Sequence, residues 1–165
     1  MQKLIYYYGL IYMLSNVSAC SKKPEDREKG KSEFFNCRIN GKSYNPPLRE
    51  SDGFKGYNVS YLSGHGDSSL LIVGKQVGLY LFDTPLHKNT VYQLGIKKPG
   101  NSSAGYHIAN LNKNYRTNEL YRGEVTLTHF DSLWVAGDFY FEAVDSLTKE
   151  RVRIDEGVFS FKRKP

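Results

Sequence analysis

The chain has 165 residues, 23 Lys and Arg against 17 Asp and Glu, and a formal net charge of +6. That length suits one domain with a core of its own, and two cysteines are too few for a disulfide framework. The basic residues are interleaved with acidic or apolar ones, as in Lys22-Lys23-Pro24-Glu25-Asp26 and Arg151-Val152-Arg153-Ile154, so they read as solvated surface and argue against a nucleic-acid partner.

Met1-Gln2-Lys3 is a short basic start, Leu4 to Leu14 is mostly apolar despite four tyrosines, and small and polar residues lead to Cys20. This is the layout of a secretory signal. The apolar run is far shorter than the about 20 residues a membrane-spanning helix needs. Val17-Ser18-Ala19-Cys20 resembles the lipobox of bacterial lipoproteins. The resemblance implies that residues 1–19 are removed as a signal peptide and that the Cys20 sulfur carries a diacylglyceryl group. The chain would then be lipid-anchored in the bacterial cell envelope, with the outer membrane as the expected membrane. Its periplasmic or surface face is left open. Residues 20–33 hold the lipidated cysteine and a charged segment without a large apolar side chain, and read as a tether.

From Phe34 to the end at 165 the pattern is that of a single β domain. Phe35, Cys37 and Ile39 alternate, and Asn40-Gly41 predicts a hairpin turn. On that face Cys37 is expected to be a small buried hydrophobe. Tyr57-Val59-Tyr61 alternates. Leu70 to Val73 is apolar at every position, as in a strand covered on both faces, and Val77-Leu79-Leu81 follows. Tyr92-Leu94-Ile96 alternates and ends before Pro99-Gly100. Val125 and Leu127 precede the clearest run, Leu133 to Val144. There Leu133, Val135, Gly137, Phe139, Phe141 and Ala143 share one face, and Trp134, Ala136, Asp138, Tyr140, Glu142 and Val144 the other. Val152 and Ile154 precede Gly157, and Phe159 and Phe161 close the chain. No helical stripe occurs. The fold expected is all-β, with about nine or ten strands in an antiparallel sandwich or a barrel.

Phe35-Asn36-Cys37-Arg38-Ile39-Asn40-Gly41-Lys42-Ser43-Tyr44, the pair formed by residues 123–128 and 135–143, and the closing stretch 152–159 resemble small β-rich lipoproteins of Bacteroidetes-type bacteria, a family without characterised function. The resemblance implies a fold and a location and supplies no catalytic residue.

Chemistry-bearing patterns are sparse. His65, His87, His107 and His129 lack metal-motif spacing, so no metal or cofactor is expected. Gly64-His65-Gly66-Asp67-Ser68-Ser69 gathers triad residue types in one loop, which fits a turn better than a fixed catalytic geometry. Asp138 and Glu142 lie four residues apart on one strand, about 13 Å, too far for the usual carboxylate pair. Asp155 reads as a turn residue. Aromatics are the compositional excess, with 13 Tyr, 9 Phe and 1 Trp. Trp134 and Tyr140 fall opposite the Phe139 and Phe141 face, where exposed rings could stack on a glycan or meet a protein. The expected function is therefore a non-catalytic, lipid-anchored domain that binds a glycan, peptide or protein. The alternative is a structural or assembly subunit of an envelope complex, and a small hydrolase ranks third.

Overall fold

The computed structural model describes residues 32–47, 57–61, 69–82, 86–95 and 101–163. The signal peptide, Cys20, nearly all of the tether and the His65–Asp67 loop lie outside the described residues. Among the described residues eleven strands are present: β1 (Phe34–Ile39), β2 (Lys42–Tyr44), β3 (Tyr57–Tyr61), β4 (Leu70–Gly74), β5 (Val77–Leu81), β6 (Thr90–Leu94), β7 (Ser103–Ile108), β8 (Lys113–Arg116), β9 (Gly123–Phe130), β10 (Trp134–Asp145) and β11 (Arg151–Lys162). The all-β expectation holds. The strand list differs at β7 and β8, which were not legible from alternation; residues 151–162 form one continuous strand across Gly157.

Every ladder is antiparallel, and the main path runs β2-β1-β11-β10-β8-β7-β5-β4-β3. β10 is the fork. Its Val135–Phe141 segment pairs with β9, which carries β6, while Val144 and Asp145 at its end pair with β8. One half is thus β6-β9-β10-β11-β1-β2, and the other is β8-β7-β5-β4-β3. Two seams draw the halves together. The Tyr44 hydroxyl donates to the Gly74 carbonyl at 3.1 Å and accepts from the Gln76 N–H at 3.2 Å. On the other side Leu94 bridges Ser102, and the Thr117 hydroxyl donates to the Gly95 carbonyl at 2.5 Å. The sheet curls around one core but does not close, so the closed-barrel alternative is not realised.

Local chemistry explains the register. Asn40 (φ 49°) and Gly41 (φ 77°) make the predicted tight turn, with both residues left-handed. In β11, Val152 and Ile154 are buried at even positions, but Gly157, Phe159 and Phe161 are buried at odd ones. Glu156, at φ 49°, is the inserted residue that changes the parity. Both neighbours shift register there, β1 between Asn36 and Arg38 and β10 between Phe139 and Phe141. Asp155 therefore sits inside a strand, paired with Arg153 at 3.1 Å, and not in a turn.

The core is an aromatic stack. Phe35 lies 5.3 Å from Phe139 and 6.4 Å from Phe161, and Phe159 lies 5.9 Å from Phe161. Gly74 lets the Phe35 ring approach β4, since a Cβ there would stand 2.3 Å from Phe35 Cδ1. The predicted faces of β10 are correct from Val135 to Ala143, all buried at odd positions, whereas Leu133 precedes the strand and is exposed. β4 is covered less evenly than expected: Leu70 and Ile72 are buried, Leu71 and Val73 half-buried.

Cys37 is 4 % exposed and belongs to this core. Burial first, then the Asp155 charge, push its thiol up to about 12. At pH 8 it should be almost wholly protonated and closed to reagent. In a Cys20→Ser background, Cys37 is expected to resist alkylation at pH 8 in the folded state and to react fully in denaturant. Rapid labelling of the folded protein would place Cys37 outside the core.

Candidate functional site

The outer face of the β4-β5-β7-β8 half carries a row of four paired residues: Val73, Gly78, Gly105 and Arg116. At about 4.8 Å per strand this row spans about 14 Å. Its two middle positions have no side chain, so the sheet backbone itself forms a floor. In the next row Leu71, Tyr80 and Ser103 are paired. The Tyr80 ring leans over the gap; a Cβ on Gly78 would meet Tyr80 Cε2 at 3.1 Å and its hydroxyl at 3.4 Å. Phe82 backs Tyr80 with a parallel ring 6.1 Å away. Gln76, His107 and Asn114 complete the rim of a trough of about 610 Å³. Small-ligand sites commonly occupy roughly 300–1,000 Å³.

The rim is held by the backbone network. The His107 N–H donates to the Gln76 carbonyl at 2.8 Å, and Gln76 is itself tied to Tyr44. The Asn114 N–H donates to Asp145 Oδ2 at 2.9 Å, and Asn114 Oδ1 accepts from Arg116 Nε at 3.3 Å. Among the described residues no Asp or Glu lines this trough.

The outer face of the other half has the opposite character. A more open hollow of about 440 Å³ lies between Glu124, Asp138, Tyr140 and Glu156. Tyr140 is 51 % exposed, so no described element covers it. Its hydroxyl bonds to Glu124, and that bond pushes its pKa up. Glu124 also accepts from Gln93 Nε2 at 2.8 Å, and Glu156 pairs with Arg38 at 3.0 Å. Trp134 is on the same face but half-buried at the other end of β10, beside Lys162 of β11. The two rings are six positions apart, about 20 Å along the strand, so they do not form a single stacking platform.

His129 is bonded to Asp131 at 2.7 Å. Asp131 also accepts the N–H groups of Leu133 and Trp134 at 2.6 and 2.7 Å, which lower its pKa and build the β9–β10 turn. His87 and His107 are exposed and far apart in sequence; among the described residues no group of His, Cys, Asp and Glu is arranged to hold a metal ion.

Residues 50–161 match a domain family of unknown function, DUF6252. The chain belongs to this family. No curated protein and no solved structure matches it. The DUF6252 span begins after β1 and β2, yet β1 pairs with β11 and supplies Phe35 to the core. The trough lies wholly within the DUF6252 span.

Sequence reasoning missed the trough because it missed two of its walls. β7, Ser103-Ala104-Gly105-Tyr106-His107-Ile108, alternates only through a small alanine, a tyrosine and a terminal isoleucine, and β8, Lys113-Asn114-Tyr115-Arg116, has Tyr115 alone, so neither stands out as a strand. The available signal was Gly78 inside the Val77–Leu81 strand, since an isolated strand glycine often marks close approach of another group.

Proposed function

We propose that this DUF6252 protein is a lipid-anchored bacterial envelope protein whose β domain binds a ligand without catalysing a reaction. The single observation that carries the binding part is the trough floored by Gly78 and Gly105. Gly105 carries no side chain and the Tyr80 ring lies over Gly78, so the trough has a flat floor of backbone and aromatic ring that suits a flat ligand. The anchor rests on Val17-Ser18-Ala19-Cys20. Among the described residues no helix is long and apolar enough to cross a membrane. Outer-membrane placement follows the lipobox resemblance, with the face left open.

Cys20→Ser is expected to move the protein from the membrane fraction to the soluble fraction on cell fractionation. An unchanged membrane fraction would remove lipid anchoring at Cys20 from the reading.

The trough is tested with the full chain in detergent, titrated with polysaccharide and protein fractions of a bacterial envelope. One fraction should raise the unfolding temperature in a concentration-dependent way. Gly78→Val, which fills the floor with a β-branched residue suited to a strand, should abolish that rise while leaving the unliganded protein folded. The alternative, an assembly subunit using the Trp134 and Tyr140 face, is favoured by the exposure of Tyr140 and Val91 on that half. It predicts the reverse: stabilisation kept in Gly78→Val and lost in Trp134→Ala or Tyr140→Ala.

A further inference from the structure

The two ends of the sheet are not alike, and the chain from Cys20 arrives at one of them. β1 starts at Phe34, which pairs with Ser160 near the end of β11, and Trp134 at the start of β10 pairs with Lys162. Glu33 accepts the Lys162 N–H at 3.2 Å, so the tether joins the domain beside that pair. Residues 20–33 can reach at most about 45 Å. A lipid at Cys20 therefore attaches the domain by this end. β10 is 12 residues long, so the turn that follows it stands about 36 Å away along the strand.

The chemistry of the Cys20 end fits a membrane surface. The β9–β10 turn projects Leu133, which is 59 % exposed, next to the half-buried ring of Trp134. Lys162 is exposed, and the Arg163 guanidinium lies 4.5 Å from the centre of the Phe130 ring. The Arg163 N–H donates to the Leu133 carbonyl at 2.8 Å, which ties the cation to the apolar tip. Lys162-Arg163-Lys164 is the longest basic run in the sequence. Against it stand two carboxylates, each already accepting hydrogen bonds: Asp131 from the Leu133 and Trp134 N–H groups, and Glu33 from Lys162. Tryptophan and leucine beside lysine and arginine settle where headgroups meet acyl chains, with the cations on anionic headgroups. At the opposite end Leu111 and Leu147 are also exposed, but there Lys113 and Lys149 are matched by Asp145 and Glu150, and the single tryptophan is elsewhere.

We infer that Leu133 and Trp134, with Lys162 and Arg163, dock this end of the domain on an anionic phospholipid surface when the chain is anchored through Cys20. This rests on the reading of Cys20 as the lipidated residue. A tethered group meets the surface at high local concentration, so a patch too small to hold a membrane alone is enough. Docking by this end also sets where the trough stands. Arg116 on its rim pairs with Val144, about 33 Å from Trp134 along β10, so that rim is held clear of the headgroups.

Trp134 is the single tryptophan, so its fluorescence reports this contact alone. The full chain, purified in detergent, is reconstituted on vesicles of equal parts phosphatidylcholine and phosphatidylglycerol with brominated acyl chains. Flotation reads the anchor, and quenching of Trp134 reads the docking. The protein should float with its emission quenched. Leu133→Asp and Lys162→Glu should each still float and lose most of the quenching, since one basic residue near an anionic surface is worth about fivefold in affinity. Leu147→Asp, at the opposite end, should keep it. An unquenched Trp134 on floating protein would overturn the docking, leave this end to a protein partner and spare the anchor. Equal quenching in Leu133→Asp and Leu147→Asp would overturn the assignment to this end. Failure to float on phosphatidylcholine alone would overturn the anchor. Docking is then read from quenching at saturating anionic lipid, and its absence there would overturn the docking too.

Discussion

Phe35→Ala is expected to lower the unfolding free energy by about 3–5 kcal/mol, the usual cost of removing a fully buried phenylalanine. The residue lies outside the DUF6252 span, yet it is 0 % exposed and touches both halves of the sheet. Its ring packs on Phe139 and Phe161 from one half and on Gly74 from the other. Truncation leaves a cavity at the place where the halves meet, and the facing glycine cannot expand to fill it. Urea unfolding followed by fluorescence of Trp134, the single tryptophan, gives the value directly. Phe141→Ala, equally buried and inside the family span, should cost a similar amount. A large loss at Phe141 with almost none at Phe35 would show that β1 merely lies on the domain and is not part of its core.

Where side chains alternate strongly, the sequence was sufficient to read the fold. Phe35 with Cys37, and the odd positions from Val135 to Ala143, announce buried faces because every second residue is apolar. The Asn40-Gly41 turn is legible because only a pair that tolerates positive φ closes so tight a hairpin. Across Gly157 the parity changes. Buried positions go from even to odd between Ile154 and Phe159 because Glu156 is inserted into one continuous strand. β7 and β8 were hidden in the sequence. Ala104, Tyr106, Ile108 and Tyr115 mark their inner faces, but one is a small alanine and two are amphipathic tyrosines, and their outer faces carry the glycine and polar groups that shape the trough. A strand whose outer face is given to a site loses the periodicity by which strands are recognised. Tyr140 is exposed, as an outward face requires, and six strand positions at about 3.3 Å each already put Trp134 about 20 Å from it, too far for one platform.

The second large effect concerns Asp145, which holds the fork of the sheet. It is the last residue of β10, only 3 % exposed, and it pairs with Tyr115 of β8. Its Oδ1 accepts the N–H groups of Leu147 and Thr148 at 2.9 Å each, closing the turn toward β11. Its Oδ2 accepts the Asn114 N–H at 2.9 Å, fixing β8. Those N–H groups hold its carboxyl well below the ordinary 3.8, at about 2. A depressed carboxylate pKa stabilises the fold fully above the unfolded value, and that contribution fades as pH falls through the folded value. Asp145→Asn keeps one acceptor oxygen but sets an amide N–H against the Asn114 N–H. It should therefore destabilise the protein throughout the neutral range, and the gap to the unsubstituted protein should narrow between about pH 4 and pH 2. Denaturant midpoints measured from pH 7 to pH 2 check this, and a constant gap would show that the charge of Asp145 is immaterial.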